Sequence, residues 1–210
     1  YADGVLVYEG QFQDGVYSGT GSLYADGALV YEGTFSDGTA SGQGTAYRDG
    51  KRCYEGAFAD GVYQGTGTAY DTDGTSVLYQ GEFQNGLYEG NGIEYNTKNG
   101  KIRYQGGFLA GRYSGAGSRY LDNGDVIRAA FADGETDGAI QWYKSGKHWD
   151  DGRAADLTPN GFGTVYGADG KALYSGQFDH GTLDGGWLLS CTAEELRTAF
   201  GEAAVTETDG

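Results

Sequence analysis

A recurring frame of aromatic and glycine residues organises this chain. A tyrosine, a glycine two residues later and a phenylalanine two residues after that occur in five successive repeats, with the tyrosines 23, 23, 25 and 25 residues apart. The members of this frame are Tyr8, Gly10, Phe12, Tyr31, Gly33, Phe35, Tyr54, Gly56, Phe58, Tyr79, Gly81, Phe83, Tyr104, Gly106 and Phe108. A fixed period in the range of roughly 20–50 residues is the signature of a repeat architecture. The chain is therefore expected to fold as an array of similar units.

Each repeat has the pattern of one β-hairpin. In the first repeat, Tyr8, Gly10 and Phe12 alternate with Glu9 and Gln11, so the aromatic and the polar side chains take opposite faces of a strand. An Asp-Gly or Asn-Gly pair, which is a strong hairpin signal, follows in several repeats. A second strand and a second turn lead into the next repeat. The sequence predicts a continuous antiparallel meander with about two strands per repeat.

The amino-acid composition indicates how such a sheet is stabilised. The chain has 41 Gly, 18 Tyr, 9 Phe and 3 Trp, with one Pro and no Met. Glycine inside a strand is normally costly, so its regular recurrence indicates a packing role. We expect aromatic rings from one strand to lie across bare glycine backbone on the neighbouring strand. The core would then be a ladder of Tyr and Phe, in which each repeat contacts mainly its neighbours.

The repeat pattern is incomplete at both ends of the array. Residues 127–170 keep only parts of the frame, so a continuous sheet is not predicted there, and a recognisable unit resumes at Tyr174. The first four residues copy the turn at residues 24–27, so the array is expected to be cut within a repeat, with further repeats upstream. The repeat domain is assigned to residues 1–189.

The tail differs from the repeats. Thr192 followed by Glu195 matches a helix capping box. A short helix is expected over residues 193–200, packed on the last hairpin as a cap. The alternative is that residues 190–210 begin a truncated second domain.

The repeated frame resembles the membrane occupation and recognition nexus (MORN) repeat, of the bacterial type. The resemblance rests on Tyr-Glu-Gly-x-Phe followed by spaced glycines, and it covers about residues 1–189. It implies an all-β fold, an elongated single-layer antiparallel β-hairpin solenoid with a groove, here with the short C-terminal capping helix. The family roles that it implies are scaffolding, protein binding, self-association and, in some members, contact with membrane lipids. It does not imply catalysis.

Motifs for chemistry are not found, so we expect no enzyme activity and no cofactor. His148 and His180 lie near expected turns, and no motif places a nucleophile beside them. Residues 71–74 begin like a calcium loop but lack its later acidic ligands, which favours an ordinary turn. Cys53 and Cys191 show neither metal spacing nor a disulfide framework.

Three sets of side chains are candidates for contact with a partner or with solvent. The first set either packs in the core or forms an exposed aromatic track for a peptide or glycan, and it consists of Tyr17, Tyr63, Tyr88 and Tyr113. The second lies in the basic segment 98–128, which either meets an acidic partner or a second copy or is merely solvated, and it consists of Arg103, Arg112, Arg119 and Arg128. The third is expected to form a solvated face, and it consists of Glu9, Glu32, Glu55, Gln80 and Gln105.

The net charge limits the kinds of partner that the chain can bind. A formal charge of −16 opposes binding to nucleic acid or to an anionic membrane, and the chain has no apolar run of about 20 residues. The leading hypothesis is a non-enzymatic scaffold for protein–protein interaction or self-association through an extended groove. A glycan or cell-wall binding module with exposed aromatics is the alternative, and lipid-headgroup binding is the least favoured. A segment upstream of Tyr1 would favour the cell envelope or surface.

Overall fold

Two-residue turns join the strands within the regular repeats. Asp14 and Gly15 have φ angles of 52° and 82°, and Asp37 and Gly38 have φ angles of 51° and 83°. A turn with both central residues at positive φ is the type I′ turn, whose twist matches that of the flanking strands. Glycine enters this left-handed region without a steric cost, and Asp tolerates it. The Asp-Gly pairs therefore form the hairpin turns that the sequence predicts.

A computed structural model describes residues 4–152, 154–155, 158–167, 169–180, 182–189 and 194–195. The chain divides into two structural units, Tyr1–Tyr113 and Ser114–Gly210. Among the described residues, no helix is long and apolar enough to cross a membrane.

The first unit is an antiparallel meander in which each strand pairs with the next along the chain. Its strands are β1 (Tyr8–Gln13), β2 (Val16–Ala25), β3 (Ala28–Ser36), β4 (Thr39–Arg48), β5 (Lys51–Ala59), β6 (Val62–Tyr70), β7 (Val77–Gln84), β8 (Leu87–Tyr95) and β9 (Ile102–Leu109). The predicted hairpin meander is thus confirmed.

A tyrosine ring held between a glycine and a second tyrosine forms the core of a repeat. Tyr54 is fully buried, and a Cβ added to Gly67 on the neighbouring strand would lie 2.5 Å from its ring atoms. The ring of Tyr63 stacks on Tyr54 at a centroid distance of 3.9 Å. The prediction that rings lie on bare glycine backbone is confirmed.

Phenylalanines join successive repeats. The ring of Phe58 meets the ring of Tyr54 in its own repeat edge-on at 5.2 Å and that of Tyr31 in the preceding repeat at 4.8 Å. Edge-to-face contact at these distances is a favourable arrangement of aromatic rings. The ladder is therefore continuous from one repeat to the next, with Phe58 only 6% exposed.

The hydroxyl groups of the buried tyrosines have hydrogen-bond partners in the backbone. The hydroxyl of Tyr54 donates a hydrogen bond to the backbone oxygen of Ala57 at 2.9 Å, and that of Tyr31 donates to the backbone oxygen of Thr34 at 2.9 Å. Burial raises the pKa of Tyr54 to about 12. Because a buried polar group without a partner is costly, this bond lets a tyrosine occupy a core position.

The second unit is also antiparallel, including the segment in which the frame decays. Its strands are β10 (Arg112–Tyr120), which begins before the boundary between the units, β11 (Val126–Ala132), β12 (Glu135–Lys144), β13 (Lys147–Gly152), β14 (Ala154–Ala155), β15 (Thr158–Pro159), β16 (Gly161–Tyr166), β17 (Ala172–Asp179) and β18 (Thr182–Leu188). β10 to β13 and β16 to β18 pair in this order, while β14 pairs with β15. The sheet thus has a continuity there that the sequence did not predict.

Aliphatic and tryptophan side chains form most of the buried cluster of the second unit, together with Tyr174 and Phe178. Ile127, Ile140, Trp142 and Val165 are buried together. The carboxylate of Asp125 is also buried and accepts a hydrogen bond from the indole nitrogen of Trp142 at 3.1 Å. This unit therefore has a sheet of the same kind with a different core composition.

The predicted C-terminal helix is described only in part. Glu194 and Glu195 are helical. The other residues of the predicted helix 193–200 lie outside the described residues, as does Cys191. The cap therefore stays a prediction.

Replacing Phe58 by alanine tests the contribution of the ladder. Because Phe58 is buried between two tyrosine rings, Phe58→Ala is expected to lower the free energy of unfolding by about 3–5 kcal/mol. Phe12 occupies the same repeat position but is 59% exposed, so Phe12→Ala should cost about 1 kcal/mol or less. Urea denaturation followed by circular dichroism measures both values, and equal small losses would show that the rings act as surface groups.

A double-mutant cycle tests the contact between tyrosine and glycine. Gly67→Val supplies a better strand former, but it should lower the free energy of unfolding by about 1–3 kcal/mol because the side chain would displace the ring of Tyr54. In a Tyr54→Ala background the same substitution should cost much less. Thermal and urea denaturation of the four proteins give the coupling energy. A penalty of equal size in both backgrounds would contradict the packing role of Gly67.

Candidate functional site

A row of side chains, all polar except Ile93, crosses the face of the first unit that lies opposite the buried tyrosines. Directly paired residues on neighbouring strands share a face, and the pairings place the following residues in one row: Glu9, Ser22, Glu32, Thr45, Glu55, Thr68, Gln80, Ile93 and Gln105. The Glu and Gln members are exposed. Members two strands apart are about 10 Å from each other. We call this surface the polar face.

A second row on the polar face consists of tyrosines, because Tyr47 and Tyr70 follow Thr45 and Thr68 of the first row by two residues and therefore share their face. The register shifts on the facing strand, where Cys53 is bulged, so that Tyr47 pairs with Arg52 and Arg52 comes to this face as well. The hydroxyl of Tyr47 donates a hydrogen bond to the carboxylate of Glu32. One repeat further on, the hydroxyl of Tyr70 donates to Glu55 at 3.2 Å.

Tyr47, the polar-face tyrosine of the second repeat, is held in its neutral form. Burial, followed by the hydrogen bond to Glu32 and the negative charge of that carboxylate, raises the pKa of Tyr47 to about 12. A neutral hydroxyl can keep donating to the carboxylate at all physiological pH values. The pair of Glu32 and Tyr47 thus places a carboxylate beside an aromatic ring whose hydroxyl donates to it.

Arg52 completes one of these pairs. Its guanidinium donates to Glu55 Oε2 at 2.9 Å and lies over the ring of Tyr70, with 4.0 Å between its central carbon and the ring centroid. Glu55 thus accepts hydrogen bonds from both an arginine and a tyrosine. The polar face holds a cation here by a carboxylate and a ring together.

An open groove of about 580 Å³ lies on the polar face beside this group. Its walls carry hydroxyl, amide and carboxylate groups, and they include Gln43, Glu55, Thr66, Gln80, Glu82 and Asn91. Within the described part of the chain, no group of three or more His, Cys, Asp or Glu side chains is placed to hold a metal ion. Such a surface can hydrogen-bond an extended polar ligand.

The MORN repeat family matches five segments of the chain, residues 8–28, 31–52, 54–76, 79–101 and 104–126, which together are more than half of its length. The chain belongs to the MORN repeat family. The resemblance seen in the sequence is thereby confirmed. MORN repeats are in general non-catalytic modules for protein or membrane interaction. Comparison with curated proteins gave no match.

The structure places the four candidate tyrosines of the MORN repeats in the aromatic ladder. Their rings stack on the first tyrosine of the same repeat at centroid distances of 3.8–3.9 Å, in the pairs Tyr17–Tyr8, Tyr63–Tyr54, Tyr88–Tyr79 and Tyr113–Tyr104. All four candidates are half-buried. Their position gives them a packing role in the sheet.

Two of the four candidate arginines belong to the first unit. Arg103 lies 3.5 Å from the carboxylate of Glu94, which also accepts a hydrogen bond from the hydroxyl of Tyr113. Arg112 is exposed at the beginning of β10. The guanidinium of Arg103 is thus already paired in the free chain.

The other two arginines lie in the second unit and on different faces. Arg119 pairs across the strands with the buried Ile127, whereas Arg128 pairs with Ser118. Because residues that are adjacent along a strand take opposite faces, the two guanidinium groups are not brought together. Arg128 lies over the ring of Tyr143 at 4.6 Å.

Sequence reasoning missed the group formed by Arg52, Glu55 and Tyr70. The glutamates were predicted to be a solvated face, and Tyr47 and Tyr70 were not among the candidate residues. A signal was present, since Tyr47 and Tyr70 recur at one repeat position. The bulge that brings Arg52 to the face of these tyrosines is a property of the register, which the period alone does not reveal.

The pKa of Tyr47 tests the geometry of the carboxylate–tyrosine pair. Glu32→Gln should lower this pKa toward 10, but not fully, because burial is the larger cause. Glu9→Gln, two strands away, should leave it unchanged. An NMR titration with ¹³Cζ-labelled tyrosine, assigned with Tyr47→Phe, measures it.

The raised pKa of Tyr47 also predicts how the stability of the fold depends on pH. A tyrosine with a raised pKa in the folded state stabilises the fold below pH 10, and this contribution is lost as the pH rises toward about 12. Tyr47→Phe should therefore flatten the decline in the free energy of unfolding above pH 10. A pKa of Tyr47 that does not respond to Glu32→Gln would contradict the pairing.

Proposed function

We propose that the chain is a non-enzymatic binding scaffold that holds a protein partner on the polar face of its first unit. The observation that carries this proposal is the exposed row of carboxylates and amides repeated across that face. On the opposite face, Tyr54, Tyr79 and Tyr104 are fully buried by their neighbours. The groups with unused hydrogen-bonding capacity therefore lie on the polar face.

The openness of the polar face supports binding rather than catalysis. Electrostatic stabilisation of a transition state is strongest in a site from which water is excluded. The groove beside Glu55 and Gln80 is open to solvent. Repeated weak contacts along such a groove suit an extended partner.

Self-association is a second candidate function, because the chain carries complementary charges. Arg103, Arg112 and Arg128 are exposed, and Glu9, Glu32 and Glu55 are exposed on the polar face. The polar face of one copy would meet the arginines of another. This contact would weaken with salt, as contacts between exposed charges do.

Site-specific photo-crosslinking tests the proposed surface. A photo-reactive amino acid at the exposed Gln80 on the polar face is expected to give protein adducts in an extract of the native cells. The same group at Lys98, which is exposed in the turn after β8, serves as the control and should give few. Mass spectrometry identifies the adducts.

The outcomes of the crosslinking experiment separate the candidates. Adducts of the chain with itself would support self-association. Equal labelling from Gln80 and Lys98 would contradict the assignment of the polar face. Retention on polysaccharide, without protein adducts at Gln80, would replace the protein partner by a glycan.

A further inference from the structure

The polar face already contains one bound guanidinium, that of Arg52. This group is held by the carboxylate of Glu55 at 2.9 Å and by the ring of Tyr70 at 4.0 Å. Arginine suits such a site because its planar guanidinium stacks on aromatic rings and donates to carboxylates at the same time. The contact shows which ligand chemistry this pair of residues accepts.

The two preceding repeats have the same pair of residues with leucine in place of the arginine. Glu32 and Tyr47 correspond to Glu55 and Tyr70, and they are joined by the same hydrogen bond. In that repeat Leu29 stands at the position of Arg52. The site of Glu32 and Tyr47 therefore has no arginine at the position from which Arg52 contacts Glu55 and Tyr70.

The first repeat has a glutamate, a tyrosine and a leucine at the same three repeat positions. Glu9 and Tyr24 occupy the repeat positions of Glu32 and Tyr47, and Leu6 stands at the position of Leu29. Glu9 is exposed and Tyr24 is half-buried. Neither of these two sites has an arginine at the repeat position of Arg52, so a guanidinium group from outside the chain would have to supply the cation.

We propose that these two pairs bind a partner segment that carries two arginines three positions apart in a polyproline II conformation. Glu9 and Glu32 are in the same register two strands apart, which corresponds to about 9.4–9.8 Å. A polyproline II helix has three residues per turn and a rise of about 3.1 Å per residue, so equivalent side chains recur every ~9.3 Å. The two spacings agree to within about half an ångström.

Other backbone conformations fit this spacing less well. On one face of a β-strand, side chains recur about every 6.6 Å and again at ~13 Å. On an α-helix, positions seven residues apart share a face and are about 10.5 Å apart. This distance exceeds the spacing of the sites, and the mismatch grows with each further site. The polyproline II segment is thus the conformation that the polar face selects.

The rest of the polar face fits such a segment. Polyproline II backbones make no internal hydrogen bonds, so their carbonyl groups can accept bonds from the polar face, where Gln43 and Thr45 flank the second pair. Tyrosine rings in a row are the lining that proline-rich segments dock against in known grooves. The negative charge of Glu9 and Glu32 complements the two arginines.

The proposal rests on the polar face being the binding surface, and its test uses defined peptides. Fluorescein-labelled peptides of the form Arg-Pro-Pro-Arg with flanking prolines are titrated with the full chain, and fluorescence anisotropy gives the affinity. Peptides of the same composition with adjacent arginines, or with lysines at the same positions, serve as controls. The three-position arginine peptide should bind about fivefold or more tightly than either control, as expected from the loss of one carboxylate–guanidinium contact.

Matched variants locate the peptide on the polar face. Glu32→Gln is isosteric at an exposed position and should weaken binding about fivefold. Asp37→Asn removes the same charge at a hairpin turn and should change the affinity less than about twofold. Circular dichroism checks that each variant is folded.

Removing Arg52 should create a third site. In Arg52→Ala, the pair of Glu55 and Tyr70 becomes free for an external guanidinium, so a peptide with three arginines at three-residue spacing should gain about fivefold in affinity. The two-arginine peptide should gain little. A gain of function of this kind cannot arise from loss of folding.

Several outcomes would overturn the inference. The first is an affinity that does not depend on the spacing of the arginines in the peptide. The second is an equal loss of affinity in Glu32→Gln and Asp37→Asn. The third is no gain in affinity for the three-arginine peptide in Arg52→Ala. If the peptides do not bind while crosslinks from Gln80 still capture a protein, the ligand assignment is wrong and the proposed function stands. If both experiments fail, the proposed function is wrong as well.

Discussion

A tyrosine ring held between glycine backbone and a second aromatic ring is the contact on which the first unit depends. Tyr54 has no exposed surface although it belongs to a sheet with a single layer of strands, because Gly67 lies beneath the ring and Tyr63 covers it. A side chain at Gly67 would occupy the space of the ring. Glycine, normally unfavourable in a strand, is therefore what lets this sheet bury apolar surface, with Phe58 extending the contact to the preceding repeat.

This one-sided core leaves the other face for polar groups. Glu32 and Glu55 stand on strands whose opposite side is covered by rings, so they can be exposed without weakening the core. Their tyrosine partners, Tyr47 and Tyr70, fix the carboxylates by hydrogen bonds. A rigid sheet thus presents charged groups at a constant spacing, which is what recognition of an extended segment requires. The stability of the repeat and its proposed function use opposite faces of the same strands.

The period and the alternation of residues were sufficient to predict the hairpins, the turn residues and the rings on glycine. They were not sufficient to predict the β-bulge at Cys53, opposite Tyr47, because a register shift depends on how two strands pair. Without that bulge, the contacts of Arg52 with Glu55 and Tyr70 could not be inferred. The continuity of the sheet beyond residue 127 was missed for another reason. There the buried side chains, such as Ile140 and Val165, follow the alternation of a strand but not the tyrosine frame.

The α-proton chemical shifts of the packed glycines test the central contact most directly. A proton of Gly67 that points at the face of the Tyr54 ring should resonate far upfield of its random-coil position because of the ring current. Gly21 and Gly92, which lie against Tyr8 and Tyr79, should behave alike, and the shift of Gly67 should disappear in Tyr54→Ala. Gly50, which has no atom near its Cβ position, provides the unshifted reference. Ordinary shifts at Gly67, Gly21 and Gly92 would contradict the account.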